Sequence, residues 1–260
     1  MKMEQQLRMG IEHDELELHY QPQLDLHTGS LKGFEALVRW RHPEHGDVSP
    51  AIFVALIEQE GRTGELLDIV MSMAARDRKR YRALASMPDI SINISVLDLD
   101  DEELPRRAQK ILFEAAPAER WTFEVTETAP ITDVAPALSI LTRLRIAGFK
   151  LSVDDFGTGT SNYERLLVAP FTELKIDRAM VNRLDINAAE PDPMVRSGID
   201  VGHSLQLQVV AEGVESVDQF RMVRDLGCDA AQGYLISPPV APVQLDVALD
   251  DWRRKFEYLS

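Results

Sequence analysis

The sequence contains very little cysteine and no long apolar segment. Its 260 residues include one cysteine, Cys228, which excludes an internal disulfide and favours a reducing compartment. We predict that Cys228 is a small core residue rather than a nucleophile. No apolar run reaches the ~18 residues of a membrane span. The N-terminal string MKMEQQLRMGIEH lacks the apolar centre of a signal peptide. We therefore expect a cytoplasmic protein without membrane insertion.

Basic residues are also scarce relative to acidic ones. The chain has 28 Lys and Arg against 43 Asp and Glu, which gives a formal net charge of −15. Binding of a nucleic acid polymer needs a basic face, so we do not expect it. The net charge does not exclude a small phosphate ligand, because bound metal ions invert the local field. The six histidines show no metal-ligating spacing such as HExxH.

The sequence lacks low-complexity tracts, repeats and long linkers, and we predict a single domain over residues 1–260. Alternating apolar residues in Leu16–Leu26, a turn at His27–Ser30 and a second apolar run to Trp40 predict an antiparallel hairpin. Ser49-Pro50 then predicts a helix start.

Later segments read as a strand followed by a helix, repeatedly. For example, Ser216 and Gln219 form a capping-box pattern, Gly227 closes that helix, and Cys228–Tyr234 is the next predicted strand. Repeated strand–helix units predict parallel strands joined by right-handed crossovers.

Seven short polar strings lie at the ends of predicted strands. A carboxylate at such a position is costly to desolvate unless it binds a cation or accepts hydrogen bonds. The strings are GFEALVRW at 33–40, SINIS at 91–95, FEVTET at 123–128, LSVDDFGTG at 151–159, ELKID at 173–177, VVAEGVE at 209–215 and AAQGY at 230–234. Polar residues at the carboxyl ends of many strands predict an α/β fold, a TIM-like (β/α)8 barrel. An open doubly wound sheet is the alternative, but no Gly-rich phosphate loop follows the first strand.

The polar residues in these strings are hard oxygen ligands. Glu35, Asn93, Glu124, Asp154 and Asp155 suit Mg²⁺ or Mn²⁺, whereas softer metals prefer sulfur or imidazole. An isolated Asp-Asp before Gly is usually a turn, so the combined pattern carries the prediction. Adjacent aspartates with further carboxylates are typical of two-metal sites that act on phosphoryl groups.

The same strings resemble the EAL domain family, the bacterial cyclic di-GMP phosphodiesterase module, over essentially the whole chain. The matching residues occur in the family's order: Tyr20-Gln21-Pro22, Glu35-Ala36-Leu37, Arg39-Trp40, Asp154-Asp155-Phe156-Gly157-Thr158-Gly159, Lys175-Ile176-Asp177, Ala211-Glu212-Gly213-Val214-Glu215 and Gln232-Gly233-Tyr234. The resemblance implies a TIM-like barrel whose first strand is antiparallel to the others, which agrees with the predicted hairpin.

The resemblance also implies two metal ions, Mg²⁺ or Mn²⁺. The ligands of the first would be Glu35, Asn93, Glu124 and Asp154, and the ligands of the second would be Asp154, Asp155 and Glu212. Lys175 would contact the attacking water. Glu212 has been regarded as a general base in the family, but we favour the ligand role. Glu215 is expected to assist catalysis beside the second metal, and Glu127 to anchor the Asp-Asp-Phe-Gly loop.

The implied reaction is hydrolysis of cyclic di-GMP to linear pGpG. Residues expected to bind the dinucleotide are Gln21, Glu35, Leu37, Arg39, Asn93, Asp154, Lys175 and Gln232. Arg39 suits a phosphate because its guanidinium is a planar fork. Two alternatives stay open, namely a non-catalytic cyclic di-GMP receptor and a two-metal hydrolase for another phosphodiester.

The resemblance further implies a homodimer. It also implies that this domain is excised from a longer protein that carries a sensor or GGDEF-type domain. The loop Thr160–Glu164 departs from the family's usual pattern, which leaves the strength of the dimer open.

Overall fold

The structure is a computed structural model that describes residues 15–80, 88–126, 134–156, 168–186 and 192–256. Its strands are β1 (Leu16–Asp25), β2 (Leu31–His42), β3 (Gly46–Val48), β4 (Asp89–Ile94), β5 (Trp121–Thr126), β6 (Lys150–Phe156), β7 (Glu173–Ile176), β8 (Gln208–Ala211) and β9 (Ala230–Gln232). Its helices are α1 (Pro50–Gln59), α2 (Thr63–Arg80), α3 (Leu104–Leu112), α4 (Val134–Ile146), α5 (Arg178–Val181), α6 (Pro193–Ser204), α7 (Val217–Asp225) and α8 (Leu245–Phe256). Within these ranges no helix has the length and apolar character to span a bilayer.

Eight of the strands close into a barrel. They are hydrogen-bonded in the order β1-β9-β8-β7-β6-β5-β4-β2, and an additional pairing of β1 with β2 completes the ring. The short strand β3 only extends the outer part of β2 as a hairpin. The predicted TIM-like barrel is therefore confirmed, and the alternative of an open sheet is wrong.

The first strand runs opposite to the rest. In the β1–β2 hairpin Tyr20 pairs with Ala36 and Gln21 with Glu35, and on its other side β1 is antiparallel to β9. From β2 through β9 the barrel pairings are parallel. This confirms the antiparallel first strand, and it places Gln21 of β1 beside Glu35 of β2.

Local sequence signals account for the helix ends. Pro50 is the first residue of α1, and Phe53 and Ile57 are its buried apolar residues. Helix α7 begins with the predicted capping box, in which Ser216 Oγ accepts from the backbone N–H of Gln219. Past its end, Gly227 has a φ of 95°, a left-handed conformation that favours glycine.

The last strand is shorter than predicted. We expected Cys228–Tyr234, whereas β9 covers three residues, Ala230–Gln232. The Cys228 amide instead closes the preceding helix by donating to the Val223 carbonyl. The Cys228 thiol is buried, and burial raises its pKa to about 12, so it stays protonated as a core residue.

Strand alternation separates an apolar exterior of the barrel from a polar interior. Neighbouring side chains in a strand point to opposite faces. Ile92, Phe123 and Leu151 are fully or almost fully buried in the apolar core that includes the surrounding helices. The intervening residues, such as Glu124 and Ser152, point into the barrel, and they are equally buried. The chain therefore places carboxylates in a buried interior that only other polar groups or cations can satisfy.

Candidate active site

A single lysine lies at the centre of the predicted site. The Lys175 ammonium is fully buried and is surrounded by four carboxylates. Its Nζ lies 2.6 Å from Glu212 Oε1, 2.8 Å from Glu124 Oε2, 3.2 Å from Asp154 Oδ1 and 3.5 Å from Glu35 Oε2. A buried ammonium is tolerated only where such partners compensate for its lost hydration.

Five parts of the barrel supply this cluster. Glu35 comes from β2, Glu124 from β5, Asp154 from β6 and Lys175 from β7. Glu212 directly follows β8, and its backbone N–H donates to the Ile176 carbonyl, which continues the β7–β8 ladder. The predicted convergence of distant sequence strings at one end of the barrel is therefore observed.

Two amides hold the Glu35 carboxylate. Asn93 Nδ2 donates to Glu35 Oε1 over 2.8 Å, and Gln232 Nε2 donates to Glu35 Oε2 over 2.5 Å. Gln232 Nε2 also donates to Gln21 Oε1, and Gln21 Nε2 donates to the Ser237 carbonyl. Glu35 is thus fixed from both sides before any ligand binds.

A second group of carboxylates adjoins the first. It consists of one carboxylate oxygen from each of Asp154, Asp155 and Glu212. These three oxygens lie within 4.8 Å of one another. Adjacent residues of a strand normally diverge, but Asp155 has a φ of 59°, in the left-handed region. The β6–β7 register also shifts between Val153 and Phe156. This local irregularity lets both aspartates reach one point, and left-handed conformations of this kind are frequent at functional sites.

The site carries an excess of negative charge. Burial, reinforced by neighbouring carboxylates, raises the pKa of Glu124 and Glu212 well above the ordinary value, although Lys175 opposes this. Burial and the adjacent Asp154 raise the pKa of Asp155 to about 6. For Glu35, burial is outweighed by Lys175 and the two amides, and its pKa is lowered. Among the described residues, five carboxylates therefore face one ammonium, which favours the binding of further cations.

The residues present fit divalent metal ions. Glu124 Oε1 is buried, and no residue in the described part of the chain donates a hydrogen bond to it. The available donors are carboxylate and amide oxygens, which are the ligands that Mg²⁺ and Mn²⁺ prefer. The cluster therefore offers such ions oxygen ligands, an excess of negative charge and a buried Glu124 oxygen that has no hydrogen-bond donor among the described residues.

A cavity of about 530 Å³ opens beside the cluster. Its lining includes Leu37, Arg39, Asn93 and Asp155, together with mainly apolar residues of α1 and α2. Burial lowers the pKa of Arg39, which the charge of Glu35 partly offsets. The cavity therefore joins an apolar wall, a guanidinium and the carboxylate site, a combination suited to a phosphate ester with an aromatic group.

One predicted catalytic residue lies outside the converging carboxylates. Glu215 forms an ion pair with Arg178 over 2.8 Å, and its carboxylate is 41% exposed. Glu127 lies outside the described residues, as do Gly157 of the Asp-Asp-Phe-Gly string and the loop Thr160–Glu164.

Sequence reasoning missed Gln23. This residue of β1 is buried, and its Nε2 donates to Gln232 Oε1 over 3.0 Å. The available signal was its position two residues after Gln21, since residues two apart share one face of a strand.

The chain is similar in sequence to proteins of known family. Residues 4–239 match the sequence model of the EAL domain family. The cyclic di-GMP phosphodiesterase NbdA of Pseudomonas aeruginosa is 37% identical over 256 residues, 97% of this chain and 32% of NbdA. The bifunctional diguanylate cyclase/cyclic di-GMP phosphodiesterase MucR of the same organism is 34% identical, over 92% of this chain and 35% of MucR.

Solved structures agree with these matches. The structure of the PaMucR phosphodiesterase in its c-di-GMP complex superposes with a TM-score of 0.85 at 34% identity, and the match covers 93% of this chain and 98% of that one. The chain spans about a third of the length of NbdA and of MucR. The family match covers most of the sequence, and the barrel and its carboxylate cluster agree with it. The chain belongs to the EAL domain family.

Proposed function

We propose that this domain hydrolyses one phosphodiester bond of cyclic di-GMP and releases linear pGpG, with two divalent cations, Mg²⁺ or Mn²⁺. The observation that carries the proposal is the convergence of Asp154, Asp155 and Glu212 beside the carboxylates around Lys175. A protein that only binds the dinucleotide has no need of this buried negative charge, which costs stability when no cation neutralises it.

The two ions would share Asp154. Glu35, Asn93 and Glu124 would complete the ligands of the first ion, and Asp155 and Glu212 those of the second. When bound, a pair of such ions activates a water molecule and stabilises the negative charge that develops on the reacting phosphate.

Lys175 contributes a fixed positive charge to the same step. Its four carboxylate neighbours hold the ammonium in place, so little reorganisation is needed as charge develops on the phosphate oxygens. Burial lowers its pKa, but the carboxylates, Glu124 foremost, raise it well above the ordinary value overall. Lys175 is therefore an electrostatic group and hydrogen-bond donor rather than a proton acceptor.

The cavity would orient the substrate. Arg39 faces it as a planar donor that can bind two phosphate oxygens at once. Leu37 and the apolar side chains of α1 and α2 offer a surface for a guanine ring. Gln232, which donates to Glu35 Oε2, and its partner Gln21 would limit the position of the sugar–phosphate ring. Substrate held between these groups presents one phosphate to the metal ligands.

Turnover of cyclic di-GMP by the purified domain tests this proposal. We expect pGpG to appear on chromatography in Mg²⁺ or Mn²⁺, and to disappear in the presence of EDTA and in the Asp154→Asn variant. The matched control is Asp250→Asn, because Asp250 is an exposed residue of α8. Binding of cyclic di-GMP without hydrolysis in either metal would instead support the receptor function.

We also propose that the domain works in the cytoplasm, as a homodimer, within a longer regulator that carries a sensor or GGDEF-type domain. The support is that the chain matches only part of NbdA and MucR, and that MucR is named as a bifunctional enzyme. Sedimentation of the domain with and without cyclic di-GMP and Mg²⁺ tests the dimer.

A further inference from the structure

Three glutamine side chains form a directed chain of hydrogen bonds that ends on Glu35. Gln23 Nε2 donates to Gln232 Oε1 over 3.0 Å, and Gln232 Nε2 donates to both Gln21 Oε1 and Glu35 Oε2. All four side chains are at least nine-tenths buried, so water does not readily replace a missing partner. Gln23 itself makes no hydrogen bond to Glu35 in this network.

The direction of this chain is dictated by Glu35. An ionised carboxylate only accepts hydrogen bonds, so the amide of Gln232 must turn its nitrogen toward Glu35. Both amide hydrogens of Gln232 are then used, on Glu35 and Gln21. The oxygen of Gln232 points the other way and needs a donor, which Gln23 supplies.

We propose that Gln23 is a positioning residue that sets the orientation of the Gln232 amide and thereby holds Glu35 ready for its metal ion. The proposal rests on the proposed function for the role of Glu35. Without a donor at position 23, the buried oxygen of Gln232 is unsatisfied, which favours rotation of the amide away from its present orientation. Glu35 then loses a hydrogen bond and faces an oxygen instead of an N–H group.

Three substitutions of similar length separate hydrogen bonding from charge. Gln23→Lys keeps a donor toward Gln232 Oε1, Gln23→Met removes it without adding charge, and Gln23→Glu presents only acceptors. Gln23→Glu should turn the Gln232 amide around, because the new carboxylate and Glu35 compete for the same N–H groups.

The measurement is Mn²⁺ affinity by calorimetry, with cyclic di-GMP turnover measured in parallel. We expect Gln23→Met to bind Mn²⁺ about threefold to tenfold more weakly than the unaltered domain, the worth of one hydrogen bond. Gln23→Lys should bind more tightly than Gln23→Met, and Gln23→Glu most weakly. A pure charge effect predicts the reverse order, since an added carboxylate attracts the cation and an added ammonium repels it.

The side-chain amide NMR signal of Gln232 gives a readout that depends on neither metal nor activity. We expect a hydrogen-bonded signal that persists in Gln23→Lys and shifts in Gln23→Met. Thermal melts identify variants that fail to fold. If Gln23→Glu does not fold, the comparison of Gln23→Lys with Gln23→Met tests the role of the hydrogen bond. Two outcomes would overturn the proposal. One is that Gln23→Met changes neither the Mn²⁺ affinity nor the Gln232 signal, and the other is that the order of Mn²⁺ affinities follows the charge of residue 23. If the unaltered domain binds no Mn²⁺, the proposed function fails, and the amide signal alone decides the role of Gln23.

Discussion

Lys175 Nζ lies 2.6 Å from Glu212 Oε1, its shortest contact with the four carboxylates around it. Lys175 lies in β7 and Glu212 directly follows the neighbouring strand β8, and both belong to the proposed reaction centre. Glu212 therefore contacts the Lys175 ammonium, and one of its oxygens also lies within 4.8 Å of oxygens of Asp154 and Asp155. This position suits a metal ligand held by a charged hydrogen bond.

Removal of the Lys175 ammonium should make folding depend on metal ions. Lys175→Met leaves buried carboxylates without their cation, and we expect the free energy of unfolding in EDTA to fall by about 3–5 kcal/mol. Mn²⁺ should restore part of this loss, whereas turnover should stay at least ~100-fold lower. Urea unfolding with and without Mn²⁺ measures the effect.

Lys150→Met is the matched control for this change. Lys150 pairs with Asp89 over 2.6 Å, but its side chain is 35% exposed. We expect its removal to cost less than about 1 kcal/mol and to leave turnover intact. Equal losses of stability in the two variants would contradict the central role of Lys175.

Glu212→Gln distinguishes a metal ligand from a general base. Because the carboxylate converges with Asp154 and Asp155, its loss should weaken Mn²⁺ binding and slow turnover together. The measurements are calorimetry with Mn²⁺ and hydrolysis over a range of Mn²⁺ concentrations, with the exposed Glu119→Gln as a control. Intact metal affinity with lost turnover would instead assign proton abstraction to Glu212.

The metal-free domain should lose stability as the pH rises through the acidic range. The pKa of Asp155 is raised from 3.8 to about 6, so the folded state binds more protons than the unfolded state between these values. Stability must then fall as pH increases from about 4 to about 6. The raised pKa values of Glu124 and Glu212 act in the same direction.

Urea unfolding in EDTA at several pH values measures this dependence. We expect saturating Mn²⁺ to reverse it, because ions bind the ionised carboxylates of the folded state. Asp155→Asn should make the metal-free profile flatter. A profile in EDTA that rises with pH throughout this range would show that folding does not raise the pKa values of these carboxylates.

Gly233→Ala should damage both stability and the site. A Cβ at this position would overlap the backbone N, C and O atoms of Val214, which cannot move aside as a flexible side chain can. We expect a loss of about 3 kcal/mol in the free energy of unfolding, and a loss of turnover because the preceding Gln232 is displaced.

Gly64→Ala provides the contrasting control. The added Cβ would make only ordinary contacts, and the residue lies in the first turn of α2. We expect no loss, or a gain of up to ~1 kcal/mol, from the better helix propensity of alanine. A similar loss in both glycine variants, measured by urea unfolding, would count against this steric explanation.

Much of the barrel and its cluster could be predicted from strand alternation. Residues such as Glu124 and Lys175 follow apolar runs, so the period of two and the parallel connections place them at one barrel end. The roles of Asp155 and Gln23 could not be predicted in the same way. The left-handed backbone of Asp155 and the direction of the Gln23 hydrogen bond depend on neighbours distant in sequence.

The predicted length of the last strand was wrong, and the predicted role of Glu215 stays a prediction. The strand predicted over Cys228–Tyr234 is cut at both ends, because the Cys228 amide completes a helix and Gly233 packs against the Val214 backbone. Glu215 belongs to a matching string, yet its ion pair with Arg178 depends on a helix from another unit of the barrel. Composition and spacing do not reveal such competing partners.

The antiparallel direction of β1 determines the end of the barrel at which this strand begins. Leu16 pairs with Trp40 near the carboxyl end of β2, so the chain enters β1 at the rim that holds the site. At the other end, Trp252 and Phe256 of α8 pack against Gly29 in the β1–β2 turn. A domain fused directly ahead of Leu16 would therefore lie on the side of the substrate entrance, whereas one fused directly behind Phe256 would lie at the far end of the barrel. A fluorescent or affinity tag meant to leave catalysis undisturbed belongs behind α8.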